Sequence, residues 1–162
     1  LDDEDLEKVA NKFSEAVGYF LIHFSTLEHE LNIAIAELMS NGSHEQGYLI
    51  IERLTFSHKI DLFYKISLRY VSYKKGKFPE LLKELQKRLI AINSFRNIIV
   101  HANWQSMTKD GFIRSKIIVD DEEGYIKFKR TQLTKKVLTD QIKEIYKLTN
   151  ELYSFYDEVI QG

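Results

Sequence analysis

Val9, Phe13, Val17, Phe20, Phe24, Leu27, Leu31, Ile35 and Leu38 follow one another at spacings of three and four residues. A helical residue advances about 100° per step, so these side chains fall on one side of a helix. Residues 3–40 are therefore read as one long helix, or two nearly continuous ones, whose apolar seam must be buried against other helices. Acidic residues at positions 2–5 suit the positive end of the helix dipole. Asn41-Gly42 supplies residues that tolerate the left-handed conformation of a helix stop.

The same reasoning continues along the chain. After a polar connection at 43–46, residues 48–54 read as a short helical or irregular segment. Residues 57–71 make a clearer helix, with Phe56, Ile60, Phe63, Ile66 and Tyr70 on one side. Residues 74–79 form a basic loop holding Gly76 and the only proline. Pro79 fits the first turn of a third main helix, where its missing N–H has no helical partner. That helix spans 80 to about 101. The period then shortens to two: residues 112–119 and 125–130 are rich in β-branched and aromatic side chains and flank the acidic, Gly-ended run D-D-E-E-G. They predict a β-hairpin. A last helix, with Leu138, Ile142, Ile145, Leu152, Tyr156 and Val159 on its seam, runs from about 139 nearly to the end. The expected fold is all-α: an up-and-down bundle of four main helices, with a small β-hairpin at about 110–131 inserted before the last helix. The 162 residues fit a single domain over 1–162.

Composition narrows the function. With no cysteine, disulfide and thiolate chemistry are excluded. A zinc site would need His and carboxylates, and no suitable spacing is present; His23 and His29, six apart, diverge on a helix, His44 lies in a polar loop and His58 opens the second main helix. No metal and no cofactor are expected. No apolar run approaches the roughly 18 residues of a membrane span, and a reducing cytoplasm is the expected location. The formal net charge of −1 gives no global sign of a nucleic-acid binder, so such a role must rest on local charge.

The local chemistry is concentrated at 94–104, S-F-R-N-I-I-V-H-A-N-W. Polar groups in such an apolar run cost free energy unless they are paired or used. Asn93, Asn97 and His101 stack along one side of the helix. Arg96 instead continues the line of Leu82, Leu85, Leu89, Ile92 and Ile99, the stripe expected to face a core. A guanidinium does not neutralise, so it needs a carboxylate or a phosphate there. Glu28, which interrupts the apolar first helix between Leu27 and Leu31, is the nominated carboxylate.

Arg96, Asn97, three apolar residues and His101, late in a helix of a small helical chain, resemble the signature of HEPN domains. Residues 24–28, F-S-T-L-E, are similar to the first helix of related prokaryotic members. The resemblance implies a metal-independent endoribonuclease, of a kind that serves as a toxin or in antiviral defence, in which two copies pair and bring two motifs into one cleft. Arg96 and His101 lie about 140° apart on an ideal helix, which makes one copy of the motif a poor single site. By the same resemblance the ribose 2′-OH attacks the adjacent phosphate, His101 moves protons, Arg96 stabilises the pentavalent transition state, and Asn97 positions the phosphate or the His. RNA is the implied substrate, a homodimer the implied assembly, and an antitoxin or regulatory protein a further partner. Some HEPN toxins carry a Tyr two residues after the His, where a nucleotidyltransferase modifies them; Asn103 stands there in this chain.

Bland readings stand beside these. Arg96 and Glu28 can simply tie two helices, Asn93 can be a helix-surface amide, and Trp104 can plug a bundle end rather than stack on a base. Arg114, Lys116, Lys127, Lys129 and Arg130 put a basic stripe on the hairpin strands, suited to an RNA backbone or to a solvated face. The rival function is a non-catalytic HEPN module that binds RNA, nucleotide or a protein partner.

Overall fold

The computed structural model describes residues 3–39, 44–72, 78–102, 104–108, 111–119 and 124–161. Helix α1 (Asp3–Met39) is unbroken, and Phe13, Phe20, Phe24, Leu27, Leu31, Ile35 and Leu38 of its seam are buried. Helix α2 (His44–Ile51) takes in most of the stretch read as a polar connection and the first four residues of the short helical or irregular segment expected at 48–54. Its Gly47 lies so close to α1 that an added Cβ would come within 3.0 Å of the Ala36 Cα. This glycine is thus a contact point between the two helices. Helix α3 (Phe56–Val71) starts at Thr55, whose hydroxyl accepts from the His58 backbone N–H at 3.4 Å. Helix α4 (Phe78–Val100) carries Pro79 in its first turn and buries Leu82, Leu85, Leu89, Ile92 and Ile99. Residues 74–77 of the basic loop expected before it, and Asn41-Gly42 of the α1 stop signal, lie outside the described residues, and the last two residues of that loop already belong to α4. No helix among the described residues is long and apolar enough to cross a membrane.

Strands β1 (Trp104–Thr108), β2 (Gly111–Val119) and β3 (Ile126–Thr134) form an antiparallel sheet in the order β1-β2-β3. The expected hairpin is β2–β3, paired without interruption from Gly111↔Thr134 to Val119↔Ile126. Its acidic turn lies outside the described residues. The third strand corrects the expectation of a hairpin alone. W-Q-S-M-T has no apolar alternation to announce it, and it becomes a strand by pairing with the inner half of β2. Gly111 makes that corner possible, with a φ of 140° and no room for a side chain: a Cβ would meet the Leu133 carbonyl oxygen at 2.0 Å. Helix α5 (Lys135–Gln161) follows β3 directly.

The four long helices close a ring, α1 against α3, α3 against α4, α4 against α5, and α5 against α1. Contacts along the seams fix their directions. Phe24 meets Phe56, Glu28 meets Lys59, and Tyr70 donates to the Leu38 carbonyl, so α1 and α3 are parallel. Tyr146 with His23 and Tyr156 with Glu30 make α5 parallel to α1 as well. Phe78 with Phe155 and Arg88 with Glu144 set α4 the other way, antiparallel to α5 and so to α1. Strict up-and-down alternation of the four main helices is therefore replaced by three parallel helices and one antiparallel. The cause is α2, which carries the chain back along α1 before α3 begins. One apolar cluster links all the helices to Leu133 of β3, with Trp104 and Phe112 packed on its edge.

Candidate functional site

Arg96 sits in the penultimate turn of α4, half-buried. Its Cζ lies 5.8 Å from the centroid of the Phe24 ring, a cation–π contact with α1, and its Nη1 donates to Asn97 Oδ1 at 3.1 Å. Phe24 also packs on Phe56 with ring centroids 4.7 Å apart, so one ring joins Arg96 to the first residue of α3. The expected carboxylate is elsewhere. Glu28 accepts from Lys59 Nζ at 2.7 Å, and the Lys59 side chain is only 7% exposed. Among the described residues Arg96 has no ion-pair partner.

Arg88, two turns earlier on the same helix, shows what a neutralised guanidinium looks like here. Its Nε reaches Glu144 Oε1 at 2.6 Å and its Nη1 pairs with Glu151, both on α5. The hydrogen bond to Glu144 and the two negative charges raise its pKa against the opposing effect of burial. Arg88 is a structural tie between helices. Arg96 keeps most of its fork of donors uncommitted, and such a fork matches phosphate or carboxylate oxygens.

His101 stands just past α4, exposed, with its backbone N–H still bonded to the Asn97 carbonyl at 3.1 Å. Asn97 is exposed and spends its amide oxygen on Arg96, which makes it an orienting group for the guanidinium rather than for the imidazole. Asn93 is half-buried one turn earlier. Asn103 lies outside the described residues. On an ideal helix the step from Arg96 to His101 rises about 7.5 Å and turns by about 140°. The other histidines are dispersed: His23 bonds Tyr146 at 3.1 Å, His44 lies 3.3 Å from Glu37, His58 lies 3.0 Å from the Thr55 hydroxyl, and His29 is exposed.

Trp104 packs edge-on against Phe13, at 6.1 Å, and Phe112, at 5.9 Å. It closes the junction between α1 and the sheet. Beside it lies a pocket of about 290 Å³ lined by Phe13, Ser14, Val17, Gly18, Trp104 and Phe112. That is just below the roughly 300–1,000 Å³ of drug-sized sites, so it has room for a ring. Sequence reasoning missed this pocket, because Phe13 and Phe112 come from separate seams and meet only in three dimensions.

The hairpin cations divide between two faces. Alternation along a strand and direct pairing across the ladder place Phe112, Arg114, Lys116, Thr131, Lys129 and Lys127 on one face, continuous with buried Leu133. Arg130 falls on the other, opposite Ser115, together with Ile117, Val119, Ile126 and Phe128, each more than half exposed. The five-residue basic stripe is thus four residues on one side and one on the reverse. Lys116 stands directly across from Lys129, and Arg114 directly across from Trp104. Arg114, Lys116, Lys129 and Arg130 have no carboxylate partner among the described residues.

No family model matches the chain, and no match was found among curated proteins or solved structures.

Proposed function

We propose that the chain is a metal-independent endoribonuclease whose working site is built from Arg96, Asn97 and His101 of two paired copies. The observation that carries this reading is the contrast between two arginines of α4: Arg88 is held by two carboxylates, whereas half-buried Arg96 has an orienting amide and an aromatic floor but no counter-charge among the described residues. An unneutralised guanidinium of this kind fits a site whose negative charge arrives with the ligand.

In the proposed reaction the ribose 2′-OH attacks the adjacent phosphorus and the P–O5′ bond breaks, leaving a 2′,3′-cyclic phosphate and a 5′-OH. One imidazole takes the 2′-OH proton and another protonates the departing O5′, which a pair of His101 residues from two copies supplies. Arg96 stabilises the charge on the phosphorane oxygens, and Asn97 holds Arg96 in place. A role as a toxin or defence effector in the cytoplasm, restrained by an antitoxin or regulatory protein, follows from the resemblance to HEPN domains and from nothing else.

The test is incubation of a mixed RNA pool in EDTA with the wild type and with folded Arg96→Ala and His101→Ala variants. Cyclic-phosphate ends are expected from the wild type, with rates lowered about 100-fold or more in each variant. An RNA-binding wild type that leaves the pool intact would replace the nuclease by a non-catalytic binding module.

A further inference from the structure

The bundle-facing side of the sheet joins two features that suit one ligand. At its inner end is the pocket bounded by the rings of Phe13, Trp104 and Phe112, and Gly18 leaves open space at its α1 wall. At its outer end the same face carries Arg114, Lys116 and Lys129. Same-face neighbours along a strand are about 6.6 Å apart, and directly opposed residues about 5 Å apart. Lys116 and Lys129 are therefore like charges in direct cross-strand opposition, an arrangement that weakens a hairpin unless an anion lies over it. No carboxylate answers them among the described residues. A solitary phosphate would not use the aromatic pocket, and an apolar metabolite would not use the cations.

We propose that this face is a single-stranded RNA track, on which one base lies in the pocket beside the packed rings of Trp104, Phe112 and Phe13, against the Gly18 wall, while the phosphates on its flank run along Arg114, Lys116 and Lys129. The ligand class rests on the ribonuclease reading; the geometry of the track does not. Base stacking supplies affinity with little sequence preference, because every base offers a π-face, and the cations supply salt-dependent attraction. The track runs over the five strand residues from Phe112 to Lys116, about 13 Å, or about two phosphate steps beyond the base. It gives a chain of near-zero net charge a local means of holding RNA close to the end of α4.

The test measures binding of fluorescein-labelled single-stranded 2′-O-methyl RNA, which lacks the attacking hydroxyl and so reports binding apart from cleavage. Lys129→Glu and Arg130→Glu place the same charge change on adjacent, exposed residues of opposite faces. Lys129→Glu is expected to weaken binding about tenfold and to lower the salt dependence by about one counterion, with Arg130→Glu within about twofold of wild type. Trp104, the only tryptophan, is expected to lose fluorescence as RNA binds. Gly18→Leu, which projects into open space and keeps a good helix former, should narrow the pocket, remove that quenching and weaken binding about tenfold. Equal losses from Lys129→Glu and Arg130→Glu, unchanged quenching in Gly18→Leu, or no binding by the wild type would each overturn the track. Unmodified RNA separates the two proposals. Cleavage that survives undiminished in Lys129→Glu and Gly18→Leu sinks the track and leaves the nuclease; the predicted binding pattern without any cleavage does the reverse.

Discussion

Lys59 presents the sharpest energetic case in the molecule, because its ammonium is nearly sealed while its partner is not. The Lys59 side chain is 7% exposed and that of Glu28 is 34% exposed, with 2.7 Å between their charged atoms. Glu28→Ala removes the acceptor and the counter-charge and leaves a buried cation, at little cost in helix propensity. Breaking a buried pair in this way typically costs about 3–5 kcal/mol. A third of the Glu28 side chain already faces water, so screening brings the expectation down to about 2–3 kcal/mol. At this chain length that lowers the melting temperature by about 5–10 °C. Urea unfolding should show a lower midpoint with an unchanged slope. Adding Lys59→Met should restore most of the loss, since the stranded charge is gone and the stem volume is kept. Adding Arg96→Ala should be additive, because Arg96 and Glu28 share no contact. A Glu28→Ala cost below about 0.5 kcal/mol, or strong coupling to Arg96 with none to Lys59, would refute the assignment of this pair.

Two further expectations concern the sheet corner and the α1–α5 contact. Gly111→Ala should destabilise the protein by about 1–3 kcal/mol or shift β3, since both the positive φ and the Leu133 carbonyl oppose a side chain; thermal unfolding and amide exchange across β2–β3 check it. Tyr156 is buried and donates to Glu30 at 2.9 Å, and burial first, then that bond, holds its phenol above the usual range. The folded state therefore keeps a proton that the unfolded chain loses above about pH 10, so this contribution is intact below pH 10 and declines as pH rises beyond it. Tyr156→Phe should flatten the alkaline fall in the denaturation midpoint, at a cost near neutrality of about 1 kcal/mol.

The elements that formed as expected are those whose signal is local. The seams of α1, α3, α4 and α5 lie within single helices, and each names the face that will be buried. They do not say against which helix, or in which direction. Parallel α1 and α3 depend on α2, whose Gly47 packs against Ala36 of α1, a contact no local pattern announces. Strand β1 exists because β2 offers hydrogen bonds to it, so five mostly polar residues gave no warning. The candidate site divides along the same line. Arg96, Asn97 and His101 were placed at a helix end by periodicity alone. The partner of Glu28 was not, because Lys59 looks like an ordinary surface residue beside Ile60 and only the packing of α3 on α1 buries it.

The distal half of the hairpin has one more consequence. Beyond Arg114, β1 no longer covers β2, so among the described residues no strand pairs with that edge of residues 115–119, and the outer face there is Ile117, Val119, Ile126 and Phe128. An open edge beside a β-branched, aromatic surface is what promotes strand addition between molecules and, in the end, fibrils. Lys116, Lys127 and Lys129 are the kind of gatekeepers that oppose it, since a second hairpin laid alongside would bring lysines together out of water. Lys116 and Lys129, proposed to hold RNA, are thus also among those that keep the hairpin from polymerising, and a variant that discards their charge trades colloidal stability along with affinity.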